Sequence, residues 1–139
     1  KSEIIKHQKF LNKLKILHFH PGKLPLYKGS TILYYTKLAK KNFYCSCFRL
    51  QTKIDSGEVY FQKKFKNVKF NEFNYDEVDN QIRSKTLVAF LKTKKLKLKI
   101  NKNNNRFQNY YIIHPILRKI SVNNKFKESL KNFLLKKFF

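Results

Sequence analysis

The chain has 139 residues, 42% of them hydrophobic and 16% aromatic, and its 32 Lys and Arg stand against 8 Asp and Glu for a formal net charge of +24 at pH 7. That length is one ordinary domain, and the apolar fraction is enough to build a core, which excludes intrinsic disorder; no apolar run is long enough to cross a bilayer. The charge implies salt-sensitive, sequence-independent attraction to polyanions such as nucleic acid, anionic lipid or phosphorylated substrates.

Part of the bias toward Lys, Asn, Ile, Phe and Tyr reads as a nucleotide-composition effect on codon use. The chain contains no methionine, and a missing N-terminal portion is expected.

In chain order, residues 3–14 (EIIKHQKFLNKL) space Ile4, Ile5, Phe10, Leu11 and Leu14 as one face of a short helix, and ILHFH at 16–20 reads as a buried strand. A Pro-Gly turn follows. Ser30 or Thr31 is placed to cap a helix in which Ile32, Tyr35, Leu38 and Ala39 share the inward face, ending at Lys40 and Lys41. Residues 43–50 and 58–65 are rich in aromatic and β-branched types and read as two antiparallel strands around the loop QTKIDSG. Cys45 and Cys47 lie two apart on the first of them, so both thiols face one way and read as reduced structural residues of a cytoplasmic protein. A second helix starts at Asn74 as cap, with Asp76, Glu77 and Asp79 at its positive end and Tyr75, Val78, Ile82 and Ala89 inward.

Beyond residue 92 the pattern changes. KKLKLKI alternates Lys with Leu96, Leu98 and Ile100, as an edge strand with one wet face does. NKNNNR is a loop, YYIIHPILRKISV a further apolar strand or turn segment, and KFKESLKNFLLKKFF a basic amphipathic helix that packs at the end of the chain. The expected division is 1–91 as one unit and 92–139 as a lysine-rich accessory tail.

Chemistry concentrates at HFHPGKLPLYKGS, residues 18–30. Residues two apart on a strand project to one side, so His18 and His20 point together, and Pro21 ends the strand. Two imidazoles on one face at a strand end line a cleft more readily than a core. Two readings follow from the residues alone. One is a metal-dependent hydrolase whose ligand set begins with His-x-His and an Asp at a distance, disfavoured because no further carboxylate or histidine lies near the pair or near Asp55. The other, a basic nucleic-acid-binding module with stacking Phe and Tyr, lacks a recognisable motif. His114 reads as structural.

The pattern HFHPGKLPLYKGS, followed by Asp55 in KIDSGEVYF, resembles the 10-formyltetrahydrofolate-dependent formyltransferases, whose catalytic segment runs Asn-x-His-Pro-x-x-Leu-Pro-x-Tyr-Arg-Gly and is completed by a distant Asp-x-Gly loop. His20, Pro21, Leu24, Pro25, Tyr27, Gly29, Asp55 and Gly57 match. The resemblance covers about residues 4–91 and implies an α/β fold: the second half of a Rossmann-type catalytic domain, N-terminally truncated, with a mixed sheet flanked by helices. It implies formyl transfer from 10-formyltetrahydrofolate to an amine, carried by a small molecule or a tRNA: an amino sugar nucleotide, slightly favoured, methionyl-tRNA or glycinamide ribonucleotide. The implied catalytic residues are His20, Asp55 and His18, with Asp55 orienting His20 and favouring its protonated, oxyanion-stabilising form. Substrate and cofactor contacts would come from Pro21, Gly22, Leu24, Pro25, Lys28, Gly29, Ser30, Ser56 and Gly57, and no metal is implied. The chain departs from the pattern twice: His18 stands where the family has Asn, and Lys28 where it has Arg.

Overall fold

The computed structural model describes residues 16–93, 108–129 and 132. The helix expected over 3–14, the strand over 94–100 and the loop at 101–106 lie outside the described residues, as does most of the C-terminal helix, of which 125–129 and 132 are described and helical. The described elements run β1 (Leu17–His20), β2 (Tyr27–Gly29), α1 (Ile32–Leu38), β3 (Phe43–Arg49), β4 (Val59–Phe65), α2 (Tyr75–Leu91), β5 (Gln108–Tyr110) and α3 (Pro115–Val122).

The strands fall into two sheets flanked by helices. One is antiparallel in the order β1-β3-β4, and the other pairs β2 with β5 in parallel. β3 is the central strand of its sheet, and its middle residues Cys45, Ser46, Cys47 and Phe48 are all 0% exposed. A strand covered on both faces reads as a continuous apolar run, which is why FYCSCF carries no polar alternation apart from one serine. Its register sets Phe19 opposite Cys47, and His20 opposite Ser46, which in turn faces Gln62. Both thiols are free and buried, and burial pushes each up to about 11.

The core gathers Leu33 and Tyr34 of α1, Cys45 of β3, Phe70, Ile82 of α2 and Ile113. Tyr34 and Tyr75 stack with centroids 4.4 Å apart, and Phe70 meets both rings edge-on. α2 presents Ile82 and Thr86 as its buried residues, with Tyr75 and Val78 packed against the core as the spacing predicts.

Four local features differ from the sequence reading, each for a long-range or local hydrogen-bonding reason. Thr31 occupies the cap position of α1 but has a left-handed φ of 52° and makes no capping bond. Its hydroxyl is taken by the distant 111–113 segment: it donates to the Tyr111 carbonyl at 3.3 Å and accepts from the Ile113 amide at 3.0 Å. The buried residues of α1 are Ile32, Leu33, Tyr34 and Thr36, while Ala39 is exposed, because this short helix is covered by α3, β2 and β3 rather than by one layer. Asn74 does not cap α2 with its side chain; its Oδ1 accepts from the Asn71 backbone amide at 2.7 Å, and the side-chain Oδ1 of Asn71 accepts from the backbone amides of Phe73 and Asn74. The segment read as a strand or turn over 110–122 contains α3. Pro115 occupies its first turn, where a missing N–H costs nothing, and His114 Nδ1 accepts from the Ile116 amide at 3.3 Å. His114 is thus a capping residue.

Among the described residues no helix is long and apolar enough to cross a membrane.

Candidate active site

β1 carries two histidines to the end of the antiparallel sheet, and Pro21, buried and without an N–H, ends it there. Phe19 points the other way, meeting Phe90 of α2 with centroids 6.0 Å apart. His18 and His20 therefore share a face, and the half-buried His18 ring stands edge-on to Phe48.

His20 is 3% exposed and has both ring nitrogens engaged. Its Nε2 lies 2.8 Å from the Tyr27 carbonyl, which can only accept, so Nε2 carries a proton. Its Nδ1 faces Asp55 Oδ2 at 3.4 Å. Gly22 leaves room for this arrangement: a Cβ there would stand 2.7 Å from His20 Nε2 and 2.8 Å from the Tyr27 oxygen.

Asp55 reaches the imidazole from a loop residue with a left-handed φ of 43°, a conformation uncommon for a residue with a Cβ. Its Oδ2 also accepts from the Gly29 amide at 2.7 Å. Gly29 has a φ of 102°, and a Cβ at that position would lie 2.0 Å from the Tyr110 carbonyl oxygen, so only glycine presents this amide to Asp55 while β2 pairs with β5. Gly57 lies against the Arg49 carbonyl, where a Cβ would come within 1.6 Å of the oxygen.

The turn between β1 and β2 is held from beneath by two polar side chains of the sheet. Ser46 donates to the Gly22 carbonyl at 2.6 Å and accepts from the Leu24 amide at 3.1 Å. Gln62 donates to the Leu24 carbonyl at 2.7 Å and to Ser46 Oγ at 3.0 Å. Leu24 itself is 4% exposed, and its bond to Pro25 is cis. Sequence reasoning missed Ser46 and Gln62. The available signal was a serine inside an apolar central strand with a glutamine across from it in the hairpin register.

It also missed Arg83 and Asp79. Arg83 Nε donates to Asp79 Oδ2 at 2.8 Å, its Nη1 donates to the Phe19 carbonyl at 2.5 Å, and the same nitrogen stands 3.5 Å from His18 Nε2. A guanidinium can only donate, so His18 Nε2 is the accepting nitrogen and Nδ1 carries the proton. Asp79 Oδ1 is buried without a hydrogen-bond partner.

Burial is the largest influence on both rings and holds each below the ordinary histidine range. Arg83 adds to the effect on His18, while Asp55 opposes it. For His20 the Asp55 carboxylate and the Tyr27 carbonyl pull upward without overcoming desolvation. The protonated His20 anticipated from the sequence is thus disfavoured, because the ring is nearly sealed from water.

The remaining residues singled out in the sequence lie around this centre with other attachments. Ser56 Oγ donates back to the Lys53 carbonyl, and Ser30 is exposed with its amide on the Tyr110 carbonyl. Lys28 is half-buried on β2, opposite Asn109. His18, His20 and Asp55 each offer one ligand atom within 4.8 Å of the other two, so they are the residues able to hold a metal among those described.

No protein-family model matches the chain, and no curated protein matches it. Solved structures do. A sugar N-formyltransferase from Shewanella sp. aligns with a TM-score of 0.58 at 19% identity, over 83% of this chain and 53% of the other. The methionyl-tRNA formyltransferase from Clostridium thermocellum aligns with a TM-score of 0.56 at 15% identity, over 78% of this chain and 47% of that one. The formyltransferase PseJ from Anoxybacillus kamchatkensis, in complex with UDP-4,6-dideoxy-4-formamido-L-AltNAc and tetrahydrofolate, gives 0.53 at 16% identity, over 76% and 58%. The chain therefore spans about half the length of these structures. The strands and helices that bring His20 and Asp55 together have the formyltransferase-family fold.

Proposed function

We infer that the protein takes part in formyl transfer from 10-formyltetrahydrofolate to an amine. The observation that carries this reading is the meeting of His20 Nδ1 and Asp55 Oδ2 at 3.4 Å beside a turn whose sequence follows the family pattern. Folate enters through the resemblance and through the tetrahydrofolate in one structural neighbour.

Attack of a neutral amine on the formyl carbon develops negative charge on the formyl oxygen and requires the amine proton to leave. Asp55 supplies the acceptor for that proton, directly or through water. Its Oδ2 is held by the Gly29 amide, so the carboxyl does not have to be ordered at the moment of reaction. The unprotonated Nδ1 of His20 faces the same oxygen at 3.4 Å and is placed to share the proton once Asp55 has taken it up from the amine. Because Nε2–H of His20 is committed to the Tyr27 carbonyl, the donor to the developing oxyanion falls to His18, whose Nδ1–H is fixed by Arg83 at the opposite ring nitrogen. An imidazole N–H thereby does the work of the amide N–H that the family's Asn supplies. Loss of one such donor costs about a hundredfold to a thousandfold in rate.

An amino sugar linked to a nucleotide is the favoured acceptor, in keeping with the sugar N-formyltransferases among the structural neighbours. Its phosphates, like those of methionyl-tRNA or glycinamide ribonucleotide, suit a chain of net charge +24. The test is to incubate the purified protein with 10-formyltetrahydrofolate and each acceptor class in turn, following release of tetrahydrofolate. Transfer to one acceptor that Asp55→Asn abolishes supports the reading; transfer to none, by protein shown to be folded, overturns it.

A further inference from the structure

His18 is the residue by which the motif departs from the family pattern, and the departure creates a second imidazole beside His20 and Asp55. We propose that His18, His20 and Asp55 form a binding site for one divalent transition-metal ion of the zinc class. Two imidazoles and a carboxylate are the donor set that zinc, cobalt and ferrous iron accept, with positions left over for water.

The geometry is close to what such an ion needs. At ligand distances of about 2.0–2.1 Å, two ligands of a tetrahedral ion stand about 3.3–3.4 Å apart. His20 Nδ1 and Asp55 Oδ2 are 3.4 Å apart. The three ligand atoms lie within 4.8 Å of one another. Two ligands of one ion stand at most about 4.2 Å apart, so the widest pair has to close by about 0.6 Å at most. The contact of His18 Nε2 with Arg83, at 3.5 Å, is at the outer limit of a hydrogen bond and yields easily.

The surroundings are those of an outer ligand shell. The Tyr27 carbonyl takes the Nε2–H of His20, which fixes the tautomer and aims the Nδ1 lone pair at Asp55. The Gly29 amide holds the facing carboxylate oxygen. Without a proton or a cation between them, the Nδ1 lone pair and Oδ2 are two acceptors pointed at each other. Among the described residues, the carboxylates and cationic side chains acting on the two rings are Asp55, Asp79 and Arg83, whose formal charges sum to one negative unit inside a strongly basic chain. That sign favours a cation where the rest of the protein repels one.

Metal uptake goes beyond formyl transfer and does not depend on it, while the effect on catalysis rests on the function inferred above. An ion would occupy the lone pair and the carboxylate oxygen that the shared proton uses, so an occupied site is a silenced one, and the metal acts on the transfer reaction as an inhibitor.

The experiment titrates Co²⁺ alone into the purified, chelator-dialysed protein, reading visible absorption bands and then their loss as Zn²⁺ displaces the cobalt. One equivalent is expected, with bands of a four- or five-coordinate N/O site. His18→Asn and Asp55→Asn, each checked for native far-UV dichroism, should weaken uptake by more than the ten- to hundredfold that loss of an outer-shell partner alone costs. His114→Gln should leave it unchanged. Absence of saturable uptake by the wild-type protein, or equal uptake by either folded site variant, overturns the proposal. Because no formyl donor is present, failure of metal binding and failure of formyl transfer are read separately.

Discussion

The Gly29 amide donates to Asp55 Oδ2 at 2.7 Å, joining the positive-φ residue of the first motif to the aspartate of the second. The bond needs an acceptor rather than a charge. Asp55→Asn retains that acceptor, so stability should stay within about 1 kcal/mol of wild type by denaturant unfolding. Formyl transfer should fall by about a hundredfold or more. Gly29→Ala should fail differently, since the added methyl collides with the Tyr110 carbonyl, and a loss of about 1–3 kcal/mol is expected.

Ser46 satisfies two backbone groups of the β1–β2 turn and a third group on Gln62. Ser46→Ala leaves the Leu24 amide and the Gly22 carbonyl without that partner in a buried position. A loss of about 1–3 kcal/mol should appear as a lower denaturation midpoint with an unchanged m-value. Unchanged stability would show that the turn is held by its own residues.

Arg83 and Asp79 form one unit. Arg83→Gln removes the partner of Asp79 Oδ2 and the donor to the Phe19 carbonyl, at an expected cost of about 1–3 kcal/mol. Adding Asp79→Asn should restore part of it, because the double variant no longer carries an unpaired carboxylate. Strict additivity in the double-mutant cycle would mean that the two side chains act independently.

The thiols of Cys45 and Cys47 sit at about 11, raised by burial. Alkylation by iodoacetamide at pH 8 should therefore be slow in the folded protein and fast after unfolding. The linkage has a definite sign. A thiol held neutral by the fold adds stability below its unfolded pKa near 9, and that stability drains away as pH rises from about 9 toward 11. Tyr75, pushed upward chiefly by burial, adds to the same alkaline loss. Thermal melts should show a falling Tm across that window.

Short apolar runs and aromatic, β-branched composition made β1 and the β3–β4 hairpin legible, because both are local properties. The convergence of His18, His20 and Asp55 was legible only through the motif resemblance. Capping was not. Thr31 and Asn74 have the right chemistry at the right places, but a hydroxyl spent on the Ile113 amide and a carboxamide spent on Asn71 are unavailable to helix ends, and no local window shows such competition. α3 carried a readable signal in Pro115, a residue suited to a first helical turn, which the apolar run around it obscured. Ser46, Gln62 and Arg83 act on the site through tertiary contacts and have no signature in the motif itself.

The Ser46–Gln62 pair has a consequence for anyone who would transplant this loop. Its shape is dictated by a floor supplied from two other strands, so the histidine-containing segment copied into a foreign scaffold would arrive without its foundation. A graft that carried the serine and glutamine along, in their opposed register, would keep the imidazoles aimed as they are in this protein.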